Sequence, residues 1–170
     1  MRKFGLFFLF LFLCLSTFAI ADEIKGFWQT IDDKTKQPSS IIAIYTYEGK
    51  YYGRIIGIFE PDGKIVDSMY HPIKKATSLI GDPYYCGLDI VTDVTTRDED
   101  TYRGRVMDPR NGNVYKAELW RKGLNLVLRG KFLVFGKSVT WQPFPEGRFD
   151  AEFKRPDLAT FVPIKAISKN

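Results

Sequence analysis

Between Tyr102 and Leu119, small or apolar residues alternate with charged ones on both sides of a cluster of turn formers. Two alternating runs around such a cluster predict a β-hairpin. Asp108 can accept a hydrogen bond from a backbone N–H two residues on, Pro109 presets φ, and Gly112 can take a positive φ. Pairing Met107 with Val114 sets Val106 against Tyr115, Gly104 against Ala117 and Tyr102 against Leu119 on one face. Arg103, Arg105, Lys116 and Glu118 then occupy the other. One face suits a core and the other suits water.

The same pattern recurs along the chain. Ser39–Tyr47 and Lys50–Phe59 read as a hairpin around Glu48-Gly49. A two-residue loop would pair Tyr47 with Lys50, and a three-residue loop would pair it with Tyr51. Tyr51, Gly53, Ile55, Gly57 and Phe59 alternate onto one face. The two glycines there predict curvature or a close approach by another group. Gly87–Thr95 reads as a strand, and Leu124, Leu126 and Leu128 alternate with Asn125, Val127 and Arg129. Lys131–Phe135 is apolar after its first residue, and Gly136-Lys137 is expected to turn it into Ser138–Trp141. Pro143 and Pro145 end the sheet.

Short strands at this spacing, joined by tight turns, predict an all-β fold: an antiparallel up-and-down β-barrel or a sandwich. Lys64–Tyr85, interrupted by Pro72, Gly81 and Pro83, breaks the pattern. It is read as an irregular mid-chain connector with one helical turn near Ile73–Ser78. The stretch from Gly147 to Asn170 mixes Phe149, Phe153, Phe161 and Val162 with charges, as a C-terminal tail that wraps the barrel would.

The N-terminus obeys a different rule. Arg2 and Lys3 precede an apolar run from Phe4 to Phe18, followed by Ala19-Ile20-Ala21. This predicts a secretory signal peptide over residues 1–21, a barrel domain over 22–146 and the tail over 147–170. The mature chain is then expected in the periplasm or outside the cell, with no transmembrane segment left after signal removal. Loss of Arg2 and Lys3 takes Lys+Arg from 25 to 23 against 20 acids, so the net charge falls from +5 to +3. That dispersed excess points neither to nucleic acid nor to an anionic membrane. Hydrophobic and aromatic contents of 45% and 15% exclude a disordered chain.

Candidate chemistry is sparse. Cys14 would leave with the signal, so Cys86 has no disulfide partner and is expected to be buried. His71 is the single histidine, so no zinc-type cluster can be assembled, and no metal or cofactor is expected. Arg97-Asp98-Glu99-Asp100 reads as a solvated turn. Asp32, Asp33 and Asp108 are candidate carboxylates, but one His and one mature Cys complete no nucleophilic set. No catalytic residue and no enzyme activity are therefore expected.

Gly26-Phe27-Trp28-Gln29-Thr30-Ile31-Asp32 resembles the opening of a family of exported bacterial proteins catalogued as a domain of unknown function, number twenty-one forty-seven. The resemblance continues through Tyr47–Ile55 and Gly104–Pro109 with Gly112 and Tyr115. It resumes at Leu128-Arg129-Gly130, Phe135-Gly136 and Val139-Thr140-Trp141. It implies a lipocalin-like (calycin) barrel in which Trp28 plugs the closed end. Two departures stand out. Family members often carry a cysteine pair in the connector, absent here. Many have an Arg two residues after the final Trp, where this chain has Pro143; Arg121 or Arg148 could substitute.

The expected function is binding or carriage of a small apolar or amphipathic molecule by a monomer. A barrel of eight strands is wide enough for one small ligand or is filled by its own side chains. The candidate cavity comprises Tyr102, Gly104, Tyr115, Ala117, Leu119 and Trp28, with Gly104 and Ala117 supplying open volume. The alternative is a cell-envelope interaction or structural protein whose barrel is filled.

Overall fold

The computed structural model describes residues 24–132 and 135–169; residues 1–21, the expected signal peptide, lie outside them. Nine strands follow one another: β1 (Gly26–Ile31), β2 (Pro38–Tyr47), β3 (Lys50–Phe59), β4 (Ile65–Ser68), β5 (Asp89–Asp98), β6 (Thr101–Asp108), β7 (Asn113–Lys122), β8 (Asn125–Phe132) and β9 (Phe135–Pro143). Every pairing is antiparallel. β2 pairs with both β1 and β3, so eight strands close into an up-and-down barrel while β4 hangs on β3 outside the ring. Closure pairs most of the ring's strand edges and leaves β9 before Trp141 open.

The β6–β7 hairpin has the register that its alternation predicts, from Tyr102↔Leu119 to Met107↔Val114. Its turn is held by Asp108, whose Oδ1 accepts the Arg110 N–H at 3.0 Å, with Gly112 at φ +76°. Tyr102, Ala117 and Leu119 are buried in the interior. On the outside, Glu118 accepts from Lys131 at 2.7 Å and from Arg97 and Arg103 at 3.3 Å each. Met107 also faces outward, and the connector covers it with Ala76, Leu79 and Leu88.

Four local expectations are resolved or corrected. The Glu48-Gly49 turn is the two-residue form, pairing Tyr47 with Lys50, with φ +48° and +75° at its two residues. Gly57 and Phe59 do not share a face with Ile55, because a bulge opposite Ile41/Ile42 flips the end of β3. Ile55 and Ile58 point inward while Phe59 packs outside. Gly136 and Lys137 form no turn; they pair with Lys131 and Gly130 inside the β8–β9 ladder. Residues 73–78 hold no helical turn. Lys75 instead bridges to Tyr84.

The interior has two tiers. At one end Ile24, Trp28, Val94, Tyr102, Leu119, Leu126 and Trp141 pack together. The Trp28 indole N–H donates to the Ile24 carbonyl at 2.9 Å. Arg121 covers the ring, its guanidinium carbon 4.8 Å from the ring centre. Arg148 lies elsewhere, over Phe59 and Phe144. Arg121 is therefore the arginine that sits on Trp28.

The chain after β9 lies along the outer face of β2 and β3. Phe144, Phe149, Phe153, Leu158 and Phe161 pack there against Phe27, Ile41, Tyr45, Ile56 and Phe59. Under this layer sits a buried ion pair. Arg54 grips Asp89 through Nε at 3.0 Å and Nη2 at 2.9 Å. Tyr45 donates to the same carboxylate at 2.9 Å. The tail completes the cluster: Arg54 donates to the Val162 carbonyl, and the Ile164 N–H donates to Asp89, each at 2.6 Å.

Candidate functional site

The second tier of the interior is open. A cavity of about 970 Å³ occupies the end of the barrel defined by the β1–β2 loop, the β6–β7 turn and the first residues of β9. Its walls are apolar: Ile55 and Ile58 from β3, Ile90 from β5, Val106 from β6, Leu128 from β8 and Val139 from β9, with Tyr85 and Tyr115 beside them. These are the inward positions of strands whose other end fills the first tier. A volume of this size suits a small organic molecule.

Open space follows from the small inward positions, but not at the expected place. A Cβ on Gly104 would run into Val94 and come 2.7 Å from the Thr92 carbonyl. β5 bulges at this point, with Asp93 at φ +54° and its pairing to β6 shifted between Thr92 and Thr95. Gly104 therefore admits the bulge and leaves no room. Ala117 is buried in the interior cluster. Gly130, across β7 from Gly104, is different. A Cβ there would meet Val106 only at 3.6 Å, an ordinary contact, and Gly130 lines the cavity.

Of the six residues expected to form a cavity, Tyr115 lies on its wall. Trp28, Tyr102, Leu119 and Ala117 lie in the packed interior cluster, and Gly104 lies against the β5 bulge. The lining residues Ile58, Tyr85, Ile90 and Val139 went unmarked in the sequence. Ile58 was hidden by the β3 bulge and Tyr85 by its place in an irregular connector. Gly130, paired across β7 with Ala117 in line with Gly104, is the small inward residue that could have marked the space.

The rim is charged. Asp32, Asp33 and Asp108, the three carboxylates singled out in the sequence, all meet at this mouth with Lys34, Arg110 and Lys137. Each acid is engaged. Asp32 caps its own loop, accepting the N–H groups of Thr35 at 2.8 Å and Lys34 at 2.9 Å, which lower its pKa. Lys137 pairs with Asp33 at 2.5 Å and lowers that pKa. Arg110 holds Asp108 in a fork at 2.9 and 2.8 Å with the same effect.

One wall of the cavity is incomplete. β1 and β9 pair over three positions, Trp28↔Pro143 to Thr30↔Trp141, so β9 before Trp141 has no partner on that edge. Ile31, Asp32 and Asp33 line one side of this gap and Gly136, Lys137 and Val139 the other. The Asp33–Lys137 ion pair spans it.

His71 is exposed on the outer surface, near Glu152 and Lys154. Cys86 is a free, buried cysteine whose thiol pKa is pushed up by burial and then by the neighbouring Asp67 carboxylate. Among the described residues no three metal-ligating side chains come together.

The comparisons with known proteins agree with this architecture. The family model of an uncharacterised protein conserved in bacteria, DUF2147, matches residues 26–143, the whole barrel from β1 to β9. The chain belongs to the DUF2147 family. A solved structure of protein HP1028 from Helicobacter pylori, described as belonging to the lipocalin family, matches with a TM-score of 0.63 at 18% identity. The match covers 81% of this chain and 94% of that one. At that identity the likeness establishes the fold, so this DUF2147 barrel is lipocalin-like. Among curated proteins there is no significant match.

Proposed function

We propose that this DUF2147 protein is an exported carrier or sensor that binds one small apolar or amphipathic molecule in the open tier of its barrel. The observation that carries the reading is the cavity of about 970 Å³, with apolar walls and a charged mouth. An apolar body would bury against Ile55, Ile58, Ile90, Val106, Leu128 and Val139. A polar end would remain among Asp33, Lys34, Arg110 and Lys137 at the rim. The lipocalin family named for HP1028 supports the same mode of binding, and the signal-like residues Met1–Ala21 support export.

The reading is of a binder and not an enzyme. Asp32, Asp33 and Asp108 are each held as ionised acceptors by neighbours, and among the described residues no nucleophile–base pair faces the cavity. A water-soluble barrel fits better than an outer-membrane one. The outward positions of β6 to β8 carry Arg103, Arg105, Lys116, Glu118, Arg129 and Lys131 where a lipid-facing band would be apolar.

The test is a titration with an environment-sensitive apolar fluorophore. The parent protein should bind it, and Gly130→Leu, which places a side chain into the open tier, should abolish uptake while changing stability by no more than about 1 kcal/mol. Ala117→Phe, inside the packed cluster, should cost about 1–3 kcal/mol by overpacking. No uptake by the parent together with a large loss in Gly130→Leu would favour the filled barrel of an envelope interaction protein.

A further inference from the structure

Outside the barrel, the connector and the end of the tail form a small hydrogen-bonded unit. Lys75 bridges to Tyr84, and the Ala76 N–H donates to the Pro83 carbonyl. Leu79 bridges to Ser168, and the Ile80 N–H donates to the Ile167 carbonyl at 2.8 Å. The orientation of this unit is determined. Leu79 is buried, and Ser168 lies against Gly112 of the β6–β7 turn. Their chain neighbours Ile80 and Ile167 therefore point away from the barrel. Ile80 is 60% exposed and Ile167 54%.

Ile73, Tyr84 and Ile164, on the same two segments, are exposed as well. Large apolar side chains exposed on two hydrogen-bonded segments, on a surface otherwise rich in charge, suit an interaction site. The same segments carry four exposed lysines, Lys74, Lys75, Lys165 and Lys169. Lys74 reaches Glu60 at 3.4 Å and Lys169 reaches Asp82 at 2.6 Å. Lys75 lies over the Tyr84 ring. Two carboxylates against four ammonium groups leave the patch positive.

We infer that this connector–tail face docks on an anionic phospholipid bilayer. Isoleucine and tyrosine side chains would enter the headgroup boundary while lysines ring them at the phosphates, the arrangement that holds peripheral proteins at interfaces. A protein partner would be expected to bring shape-matched pockets or acids for particular lysines. A bilayer requires only exposed apolar groups with positive charge beside them, and these two segments carry both. The docking does not depend on the cavity binding anything. It would, however, set the mouth near the membrane, because Ser78 holds the Pro109 carbonyl at 2.8 Å and Pro109 lines the rim.

Vesicle flotation of the purified exported protein tests this. Phosphatidylcholine vesicles with about one quarter phosphatidylglycerol should carry the protein up the gradient, and pure phosphatidylcholine vesicles should not. The double variant Ile80→Asp/Ile167→Asp should weaken partitioning about tenfold or more. Lys74→Gln and Lys75→Gln should each weaken it roughly fivefold, and salt of about 0.5 M should do the same to the parent. These residues are exposed, so thermal melts and fluorophore uptake in the cavity should match the parent in every variant. Equal partitioning onto both vesicle types, or partitioning indifferent to the substitutions, would overturn the inference. So would a dimer by light scattering that Ile80→Asp dissolves, which would assign the face to a second copy of the chain.

Discussion

Asp89 is the side chain on which most separate parts of the molecule converge. It lies on β5, fully buried, and takes hydrogen bonds from Arg54 on β3, Tyr45 on β2 and the backbone of Ile164 in the tail. Burial first, and then the Asp89 charge, raise the pKa of Tyr45, so the phenol keeps its proton and donates. The cluster sits outside the barrel wall and away from the cavity, which gives it a structural role. Taking either charge out of water is costly, and the pair is tolerated because Asp89 accepts four hydrogen bonds, two of them from Arg54. Asp89→Ala would leave Arg54 buried without its counter-charge. Urea unfolding should show a loss of about 3–5 kcal/mol, with fluorophore uptake retained below the transition.

At the scale of the element, two glycines on neighbouring ladders have opposite jobs. Gly104 on β6 faces the β5 bulge, where any Cβ meets Val94 and the Thr92 carbonyl. Gly104→Ala should therefore cost about 1–3 kcal/mol. Gly130 on β8 has ordinary contacts at its Cβ position. Gly130→Ala should be neutral or stabilising by up to about 1 kcal/mol, since it restricts the unfolded chain. Chemical denaturation of the two single variants separates them by sign.

The mouth is an element too, made by the β1–β2 loop, the β6–β7 turn and Lys137 on β9. Its pH dependence follows from Asp32, Asp33 and Asp108, whose pKa values all lie below the ordinary carboxylate value. A folded pKa lower than the unfolded one gives stability that is present above the unfolded value and lost as pH falls through the folded value. The mouth should therefore be unchanged from about pH 8 down to about pH 5 and loosen only below about pH 4. Fluorophore affinity measured across that range should be flat until the acid limb. A fall already at pH 6 would contradict this assignment of the rim acids.

For the whole molecule, the tail is as much a layer of the structure as any strand. Phe144, Phe153, Leu158 and Phe161 cover Phe27, Ile41, Tyr45, Ile56 and Phe59, and the Arg54–Asp89 pair is closed from above by tail backbone. Deleting residues 144–170 would expose that apolar face and strip two hydrogen bonds from buried charges. The shortened chain should lose its cooperative thermal transition and bind hydrophobic dye over its whole surface.

Strict alternation settled much of this fold before any tertiary contact was considered. A residue at i and one at i+2 must face the same side of a strand. Tyr102, Gly104 and Val106 were therefore bound to share a face with Tyr115, Ala117 and Leu119 once the Asp108–Gly112 turn set the register. The two-residue turn at Glu48-Gly49 was one of two options that local chemistry allowed, and pairing across the closed sheet chose between them. What escaped alternation were the bulges in β3 and β5, because an extra residue reverses the faces without leaving a mark in composition. The β5 bulge filled the space that Gly104 seemed to offer, and the β3 bulge turned Ile58 inward to the cavity wall. The choice of Arg121 over Arg148 for Trp28, and the meeting of Asp32 and Asp33 with Asp108 at one mouth, depend on closing the ring. Closure brings together residues that lie scores of positions apart, and no local pattern of hydrophobic and polar residues encodes that distance.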